Sequence, residues 1–216
     1  MIPRTLLAAG HEDFRKSARR FYTEEVMPQH EQWEEQQCVD RTIWKRAGEL
    51  GLLCMTMPEE YGGSGADRRY SVVLFEEQAR AGASGIGFFL HSDIVANYIN
   101  NFGTVEQKQR WLPPMARGDI ITALAMSEPD VGSDLQNIKT RAVDDGDHYL
   151  VNGTKTFITN GLLCDLAIVA VKTASAQMDQ GARSVTLLLV ETNSPGFGKS
   201  RPLRKIGMKA QDTCEL

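Results

Sequence analysis

The feature that most constrains the fold is a change of hydrophobic pattern at Gly118. Before this residue, apolar side chains recur three or four positions apart; after it come short runs of Val, Ile, Leu and Ala separated by turn dipeptides. The first pattern places apolar side chains on one face of a helix, and the second is typical of strands. We therefore predict an α+β chain, with an N-terminal all-α domain at 1–118 followed by a β domain at 119–216.

Five helices are predicted in the first domain. The first runs from Glu12 to Met27, where Pro28 is expected to stop it because proline lacks the N–H that a helix needs. The others are expected at Asp40–Leu50, at Asp67–Ala81, at Ile86–Phe102, and after a capping box formed by Thr104 and Gln107. The fourth is apolar on more than one face, which predicts that neighbouring helices bury it.

The second domain carries strand and hairpin signals. Strands are predicted in the apolar runs Ile120–Met126, Leu166–Lys172 and Ser184–Glu191. Asp145-Gly146 and Asn152-Gly153 are the dipeptides that two-residue hairpins favour, and both are flanked by strand-like sequence. Together these signals predict an antiparallel β-barrel or a sandwich-like domain.

Charge and targeting patterns narrow the classes of function. The net charge is −4 at pH 7, and no stripe of Lys and Arg is present, so the chain lacks a nucleic-acid footprint. Its N-terminal apolar run is too short for a signal peptide, and no segment approaches a membrane span. The four cysteines lack zinc or disulfide spacing, which predicts no metal site and a cytoplasmic protein with reduced thiols.

One candidate site lies in the string Leu124–Asp134, a strand that leads into a loop. Pro129 holds the preceding Glu128 extended, and Gly132 permits close approach of the backbone to a ligand. The hydroxyls of Ser127 and Ser133 and nearby amides could then meet a polar, acceptor-rich ligand. Turn chemistry alone equally describes an ordinary Gly-Ser-Asp turn.

A second candidate site lies in the string Asn152–Gly161. On a strand of period two, Lys155, Phe157 and Thr159 share one face. Such a face could serve a flat redox ring, which Phe157 would screen from water while Thr159 donates a hydrogen bond. Periodicity alone is equally satisfied by a core Phe and a surface Thr in a hairpin.

These two strings read Ala-Met-Ser-Glu-Pro-Asp-Val-Gly-Ser-Asp and Asn-Gly-Thr-Lys-Thr-Phe-Ile-Thr-Asn-Gly. In this order they resemble the paired flavin signature of the acyl-CoA dehydrogenases. The likeness extends over nearly the whole chain, and Phe157 and the string Met208–Thr213 resemble long-chain members in particular. Many relatives carry Trp in place of Phe157 and Thr in place of Ser127, changes that preserve the ring and the hydroxyl.

The resemblance implies an FAD site and assigns residues to it. The implied cofactor-binding residues are Leu124, Met126, Ser127, Gly132, Ser133, Phe157, Ile158 and Thr159. The first three would contact the pyrimidine side of the flavin, and the last three would close over the isoalloxazine. Gly132 and Ser133 would lie toward the diphosphate and the CoA thioester arm, which makes Ser133 a substrate-binding residue as well. Gly85, Gly87 and His91 are candidates for the acyl pocket, although a satisfied core histidine is the favoured interpretation of His91.

The implied reaction is α,β-dehydrogenation of acyl-CoA thioesters to trans-2-enoyl-CoA, with electrons passed to an electron-transferring flavoprotein. The family's carboxylate base is expected beyond Leu216, in a C-terminal helical domain absent from this chain, so Glu128 is not assigned as the base. The chain alone is expected to be inactive, and the full-length enzyme to be a homo-oligomer, a dimer or a tetramer. An acyl-CoA oxidase-like enzyme and a non-catalytic, DNA-associated relative are the alternatives.

Overall fold

The computed structural model describes residues 5–173 and 181–216, which form two compact units. One unit comprises Met1–Ile121 together with Arg204–Gln211, and it is helical. The other comprises Thr122–Leu203 together with Asp212–Leu216, and it contains the strands. The chain is therefore α+β, as predicted. The short segment Arg204–Gln211 belongs to the helical unit although it follows the sheet in sequence.

The helical unit contains the predicted helices. They are α1 (Ala9–Phe21), α2 (Met27–Gln36), α3 (Arg41–Glu49), α4 (Arg68–Ala81), α5 (Ala96–Phe102) and α6 (Val105–Ala116), with π-helical turns at Tyr22–Val26 and Leu90–Val95. The Asp67 side chain accepts a hydrogen bond from the Arg69 main chain at 2.9 Å and so caps α4. Thr104 and Gln107 form the predicted capping box of α6. Local signals placed these helix starts correctly because each cap satisfies main-chain donors within its own turn.

The predicted stop at Pro28 is wrong. The helix widens into a π turn, in which the Met27 amide donates to the Tyr22 carbonyl, and it then continues as α2. Pro28 thereby falls in the first turn of α2, where a missing N–H removes no helical hydrogen bond. A π turn supplies the extra residue that accommodates the ring.

A buried ion pair cluster joins α1 to α4. Glu77, on α4, is 1% exposed, and it accepts hydrogen bonds from Arg19 Nε at 2.7 Å and from Arg15 Nη1 at 2.9 Å. The hydrogen bond from Arg19 lowers the pKa of Glu77, burial opposes that shift, and Arg15 lowers it further. Glu77 is therefore a structural carboxylate that is held ionised between two helices.

The sheet unit contains seven strands among its described residues. They are β1 (Thr122–Ala125), β2 (Arg141–Asp144), β3 (Tyr149–Asn152), β4 (Ile158–Thr159), β5 (Leu166–Lys172), β6 (Val185–Glu191) and β7 (Thr213–Cys214). Five of them form one sheet, in which β1, β5, β2 and β3 follow in that order and β6 also pairs with β5; β4 pairs with β7 in a separate ladder. Neither sheet is closed in the described part of the chain, so the predicted barrel or sandwich is not confirmed.

The prediction of a purely antiparallel sheet is wrong. β2–β3 and β5–β6 are antiparallel, but β1 runs parallel to β5, with Thr122 opposite Leu166. β2 also meets β5 in parallel, with Arg141 opposite Lys172. Parallel neighbours need a long connection, and here 40 residues lie between the end of β1 at Ala125 and the start of β5 at Leu166. Turn dipeptides report only on adjacent strands, so they could not reveal this pairing.

Only one of the two predicted hairpins exists. The Asp145-Gly146 turn connects β2 to β3, and the Asp145 amide donates to the His148 carbonyl at 2.9 Å. The prediction of a hairpin at Asn152-Gly153 is wrong, because β3 ends at Asn152 and the next strand, β4, pairs with β7 rather than with β3. Gly153 faces Thr140 so closely that a Cβ there would lie 2.3 Å from Thr140 Oγ1. Close packing, rather than turn geometry, explains this glycine.

A buried ion pair lies at the end of β1. Glu128 and Lys155 have side chains only 4% and 3% exposed, and the Lys155 ammonium lies 2.9 Å from Glu128 Oε1. Glu128 also accepts hydrogen bonds from the Thr140 hydroxyl at 2.6 Å and from the main-chain amides of Thr140 and Lys139 at 2.9 and 2.6 Å. Burial raises the pKa of Glu128, but these donors outweigh it and lower the pKa to about 2. The carboxylate is therefore ionised and fully engaged.

The hydrogen bonds to Glu128 predict that the stability of the folded chain decreases in acid. Because the pKa of Glu128 falls from 4.5 to about 2 on folding, its contribution to stability is complete above pH 4.5 and is lost as the pH falls to about 2. Glu128→Gln should lower the free energy of unfolding by about 3 kcal/mol at pH 7, and this difference from the wild type should shrink over that pH window. Urea denaturation at a series of pH values measures it.

Asp130→Asn is the matched control for this experiment. Asp130 lies two residues away and is exposed, in an ion pair with the exposed Lys139. Exposed pairs contribute about 0–1 kcal/mol, so this variant should resemble the wild type. The assigned role of Glu128 would be contradicted if both variants lost the same free energy of unfolding. It would also be contradicted if the loss in Glu128→Gln were the same at pH 7 and pH 2.

Candidate functional site

The two sequence strings with candidate chemistry lie side by side in the sheet unit. The Thr156 amide donates to the Ser127 carbonyl at 2.9 Å, and the Lys155 ammonium donates to the Met126 carbonyl at 3.0 Å. Together with the ion pair to Glu128, these bonds tie the end of β1 to the segment before β4. The strings are therefore held against each other by main-chain and side-chain contacts.

The first string alternates between the core and an accessible face. Ala123 and Ala125 are fully buried, whereas Leu124 and Met126 are half-buried, as is Ser127 after the strand. This alternation is the expected period of a strand, and it places Leu124 on the face opposite the alanines. The half-buried residues, Leu124 in β1 and Met126 and Ser127 just after it, are thus among those that the resemblance assigned to a ligand.

A tight turn lies within the first string, after Ser127. The amide of Glu128 donates to the Val131 carbonyl at 2.8 Å, and the amide of Val131 donates to the Glu128 carbonyl at 3.1 Å. Gly132 and Ser133 come next and are exposed. A Cβ at Gly132 would meet no atom of this chain within 4 Å, so packing within the chain does not require a glycine there. The backbone at this position is open to an external ligand.

The second string departs from the predicted alternation. Lys155 is buried whereas Phe157 is 71% exposed, so the prediction that they share one face is wrong. The reason is a left-handed backbone at Phe157, with φ of 57°, which breaks the period of two before β4 begins. A non-glycine residue in this conformation costs about 1–2 kcal/mol. The interpretation of Phe157 as a core residue is also wrong.

Phe157 and Thr159 flank a buried residue. Ile158 is 2% exposed and packs in the sheet core, while Thr159 is half-buried. The ladder of β4 with β7 sets Ile158 opposite Cys214 and Thr159 opposite Thr213. An accessible aromatic ring and an accessible hydroxyl therefore stand on either side of one anchoring side chain.

The arrangement offers planar and hydrogen-bonding surface but no free base. Phe157 provides an aromatic face, and Ser127 and Thr159 provide hydroxyl groups that can donate to a ring nitrogen or oxygen. Glu128, the buried carboxylate of the first string, accepts from four donors and has a pKa lowered to about 2. A base must reach its proton and be able to take it, and Glu128 does neither.

The residues predicted near an acyl chain lie in the helical unit. His91 is fully buried, with Nε2 3.1 Å from the Met115 carbonyl, which confirms its interpretation as a satisfied core histidine. Gly85 is required by packing, since a Cβ there would lie 2.5 Å from Ala210 Cβ. Gly87 is buried, and its place in an acyl pocket stays a prediction.

A cavity of about 780 Å³ in the sheet unit lies away from the predicted flavin residues. Ala125, Val169, Leu188 and Val190 are part of its lining, together with Lys155. None of the eight residues assigned to the cofactor lines it. The cavity follows the core face of the sheet, whereas Leu124 points to the other face.

Sequence reasoning missed three residues that hold the site in shape. They are Lys155 in the second string before β4, Asn160 after β4, and Asp212 before β7, and all three are buried. The signal available for Lys155 was its charge within a strand-like string, since a lysine is seldom fully buried without a partner. No comparable signal marked Asn160 or Asp212, because their partners are distant in sequence.

Comparison with known proteins adds relatives of the whole chain. The long-chain specific acyl-CoA dehydrogenase, mitochondrial, of Rattus norvegicus is 46% identical over 213 residues, which are 99% of this chain and 49% of that protein. The acyl-CoA dehydrogenase from Geobacillus kaustophilus superposes with a TM-score of 0.95 at 48% identity, over 99% of this chain and 56% of that one. A glutaryl-CoA dehydrogenase from Mycobacterium smegmatis, in complex with FADH2, superposes with a TM-score of 0.88 at 32% identity, over 97% and 52% of the two chains.

Two family models together match most of the sequence. The acyl-CoA dehydrogenase N-terminal domain matches residues 8–119, and the acyl-CoA dehydrogenase middle domain matches residues 123–216. The chain spans about half the length of the curated relatives it matches. On these matches and on the identity to its relatives, the chain belongs to the acyl-CoA dehydrogenase family.

Proposed function

We propose that this chain is the flavin-holding part of an FAD-dependent acyl-CoA dehydrogenase. The full-length enzyme would oxidise acyl-CoA thioesters to trans-2-enoyl-CoA and pass the electrons to an electron-transferring flavoprotein. The observation that carries the proposal is the pair of strings held together at Ser127 and Thr156, with Phe157 and Thr159 accessible beside them. Membership of the family and a relative's structure with FADH2 support it.

The residues present fit a flavin. The exposed Phe157 would cover the isoalloxazine, Thr159 would donate to a ring nitrogen, and Ile158 would anchor this edge in the core. Leu124 in β1, and Met126 and Ser127 just after it, would contact the pyrimidine side, and the side chains of all three are half-buried. When bound, the flavin supplies the acceptor for the hydride that leaves the substrate. The strain at Phe157 is of the kind that recurs at ligand sites.

The end of the first string, beyond its tight turn, would receive the phosphate-bearing part of the ligands. Gly132 and Ser133 are exposed, and a Cβ added at Gly132 would meet no atom of the described residues within 4 Å. We place them toward the flavin diphosphate, with Ser133 also on the CoA thioester arm. A hydroxyl and unhindered main-chain amides are suitable donors to phosphate and carbonyl oxygens.

The rest of the proposal concerns the larger enzyme. We assign no residue of this chain as the carboxylate base, and we propose that the chain alone does not turn over and binds FAD weakly. The domain limits 1–118 and 119–216, a homo-oligomer, either dimeric or tetrameric, and a cytoplasmic location are parts of the same proposal. Among the described residues, no helix is both long and apolar enough to cross a bilayer.

Titration of the ¹⁵N-labelled chain with FAD tests the flavin site. Weak, saturable amide shifts are expected, concentrated at the eight assigned residues from Leu124 to Thr159, because the strings converge there. NMR detects millimolar binding, which corresponds to about 4 kcal/mol. Shifts scattered over the helical unit, or no shifts at all, would count against the site. Tight stoichiometric uptake with quenched flavin fluorescence would contradict the weak-binding part of the proposal.

The hydroxyl of Thr159 can be tested separately. Thr159→Val preserves the shape of the side chain and removes the donor, so FAD affinity should fall about two- to tenfold, the worth of one hydrogen bond. Thr154→Val is the control, since Thr154 lies in the same string and is exposed. The two dissociation constants come from the same NMR titration. Equal affinities in both variants would remove Thr159 from the site.

A further inference from the structure

Asp212 lies against the turn that follows Thr159. Its Oδ2 accepts hydrogen bonds from the amides of Leu162 at 2.8 Å and Leu163 at 3.2 Å, and its carbonyl accepts from the Asn160 amide at 3.1 Å. Asp212 is 1% exposed. Hydrogen bonds from main-chain amides to a buried carboxylate are charge-assisted and stronger than neutral ones. One residue therefore holds three of the four amides of turn 160–163.

The opposite side of this turn meets a positive charge. The Lys199 ammonium donates to the Leu162 carbonyl at 3.0 Å. The amide of Leu162 thus points to a carboxylate, while its carbonyl points to an ammonium. The peptide unit between Leu162 and Leu163 has its amide on the Asp212 carboxylate and its carbonyl on the Lys199 ammonium, so both charges oppose its rotation. The turn is therefore held by a carboxylate on one side and by an ammonium group on the other.

The turn also has little steric freedom. Asn160 is fully buried with φ of 61°, and its Nδ2 donates to the Thr122 carbonyl of β1 at 3.1 Å. A Cβ at Gly161 would lie 2.7 Å from Cys214 Sγ, so no larger residue fits there without displacement. A left-handed Asn costs less than other side chains but still needs support from its surroundings.

The position of Thr159 follows from this turn. Thr159 immediately precedes Asn160, and it pairs with Thr213, the residue next to Asp212. Its main chain is thus held by the ladder on one side and by the turn on the other. A loss of the Asp212 carboxylate would release the turn and, with it, the direction of the Thr159 hydroxyl.

We propose that Asp212 is a positioning residue of the flavin site, acting through Thr159. The inference rests on the proposed function, because it needs a flavin at Thr159. Asp212 is buried; its carboxylate accepts from the amides of Leu162 and Leu163, and its carbonyl accepts from the Asn160 amide. It is therefore no candidate for the base, and its effect on the flavin is indirect.

The test uses the ¹⁵N-labelled chain and Asp212→Asn, with Asp147→Asn as the matched control at the exposed hairpin tip. Without FAD, the amides of Leu162 and Leu163 should exchange about tenfold faster in Asp212→Asn and be unchanged in the control. With FAD, the affinity should fall about fivefold in Asp212→Asn. In a Thr159→Val background the same substitution should have almost no further effect on affinity.

Lys199→Met provides a second variant that spares the buried carboxylate. Lys199 is exposed, so the chain should fold normally, and the loss of its ammonium should lower FAD affinity about twofold through the same turn. If the wild type binds FAD and both variants leave its affinity unchanged, the inference is wrong. The inference is also wrong if Asp212→Asn lowers FAD affinity by the same factor in the wild-type chain and in the Thr159→Val background. If the wild type shows no response to FAD, the proposed function fails and the inference fails with it, whatever the exchange rates show.

Discussion

The buried contact between Glu128 and Lys155 is the constraint on which the sheet unit depends. Removing two charges from water is costly, and it is compensated here because Glu128 accepts four hydrogen bonds and Lys155 donates to the Met126 carbonyl as well. The pair therefore specifies one arrangement of two strings that lie far apart in sequence. Any displacement of either string would leave a buried charge unpaired.

Local signals predicted most of the helical unit. Capping by Asp67 and by Thr104 depends on residues within one turn, so the sequence contains the whole interaction. Pro28 was misjudged because its tolerance depends on the π turn before it, and no local rule anticipates that turn. The parallel pairing of β1 with β5 was missed for a related reason: it depends on contacts across more than 40 residues.

The candidate site was predictable in part. Its accessible residues lie in two strings whose composition and order indicate the family, and the structure places those strings together. The role of Asp212 was not predictable, because its partners lie in another part of the chain. For Lys155, the charge within a strand-like string marked the residue but did not identify its partner Glu128. The shared face of Lys155, Phe157 and Thr159 was predicted from the alternation of side chains along a strand, which assumes a regular extended backbone. The left-handed backbone at Phe157 interrupts that alternation.

The sheet unit separates its charges from its accessible surface at this site. Glu128 and Asp212 are its only buried carboxylates among the described residues, and both are bound by main-chain amides of the strings or of the turn. The surface that remains accessible beside them comes from Phe157, Thr159 and Ser127, which are uncharged. The buried charged groups Glu128, Lys155 and Asp212 therefore hold the frame, and the accessible side chains of Ser127, Phe157 and Thr159 are neutral. A planar ring with hydrogen-bond acceptors meets no unpaired charge there, so binding it requires no rearrangement of the buried ion pairs.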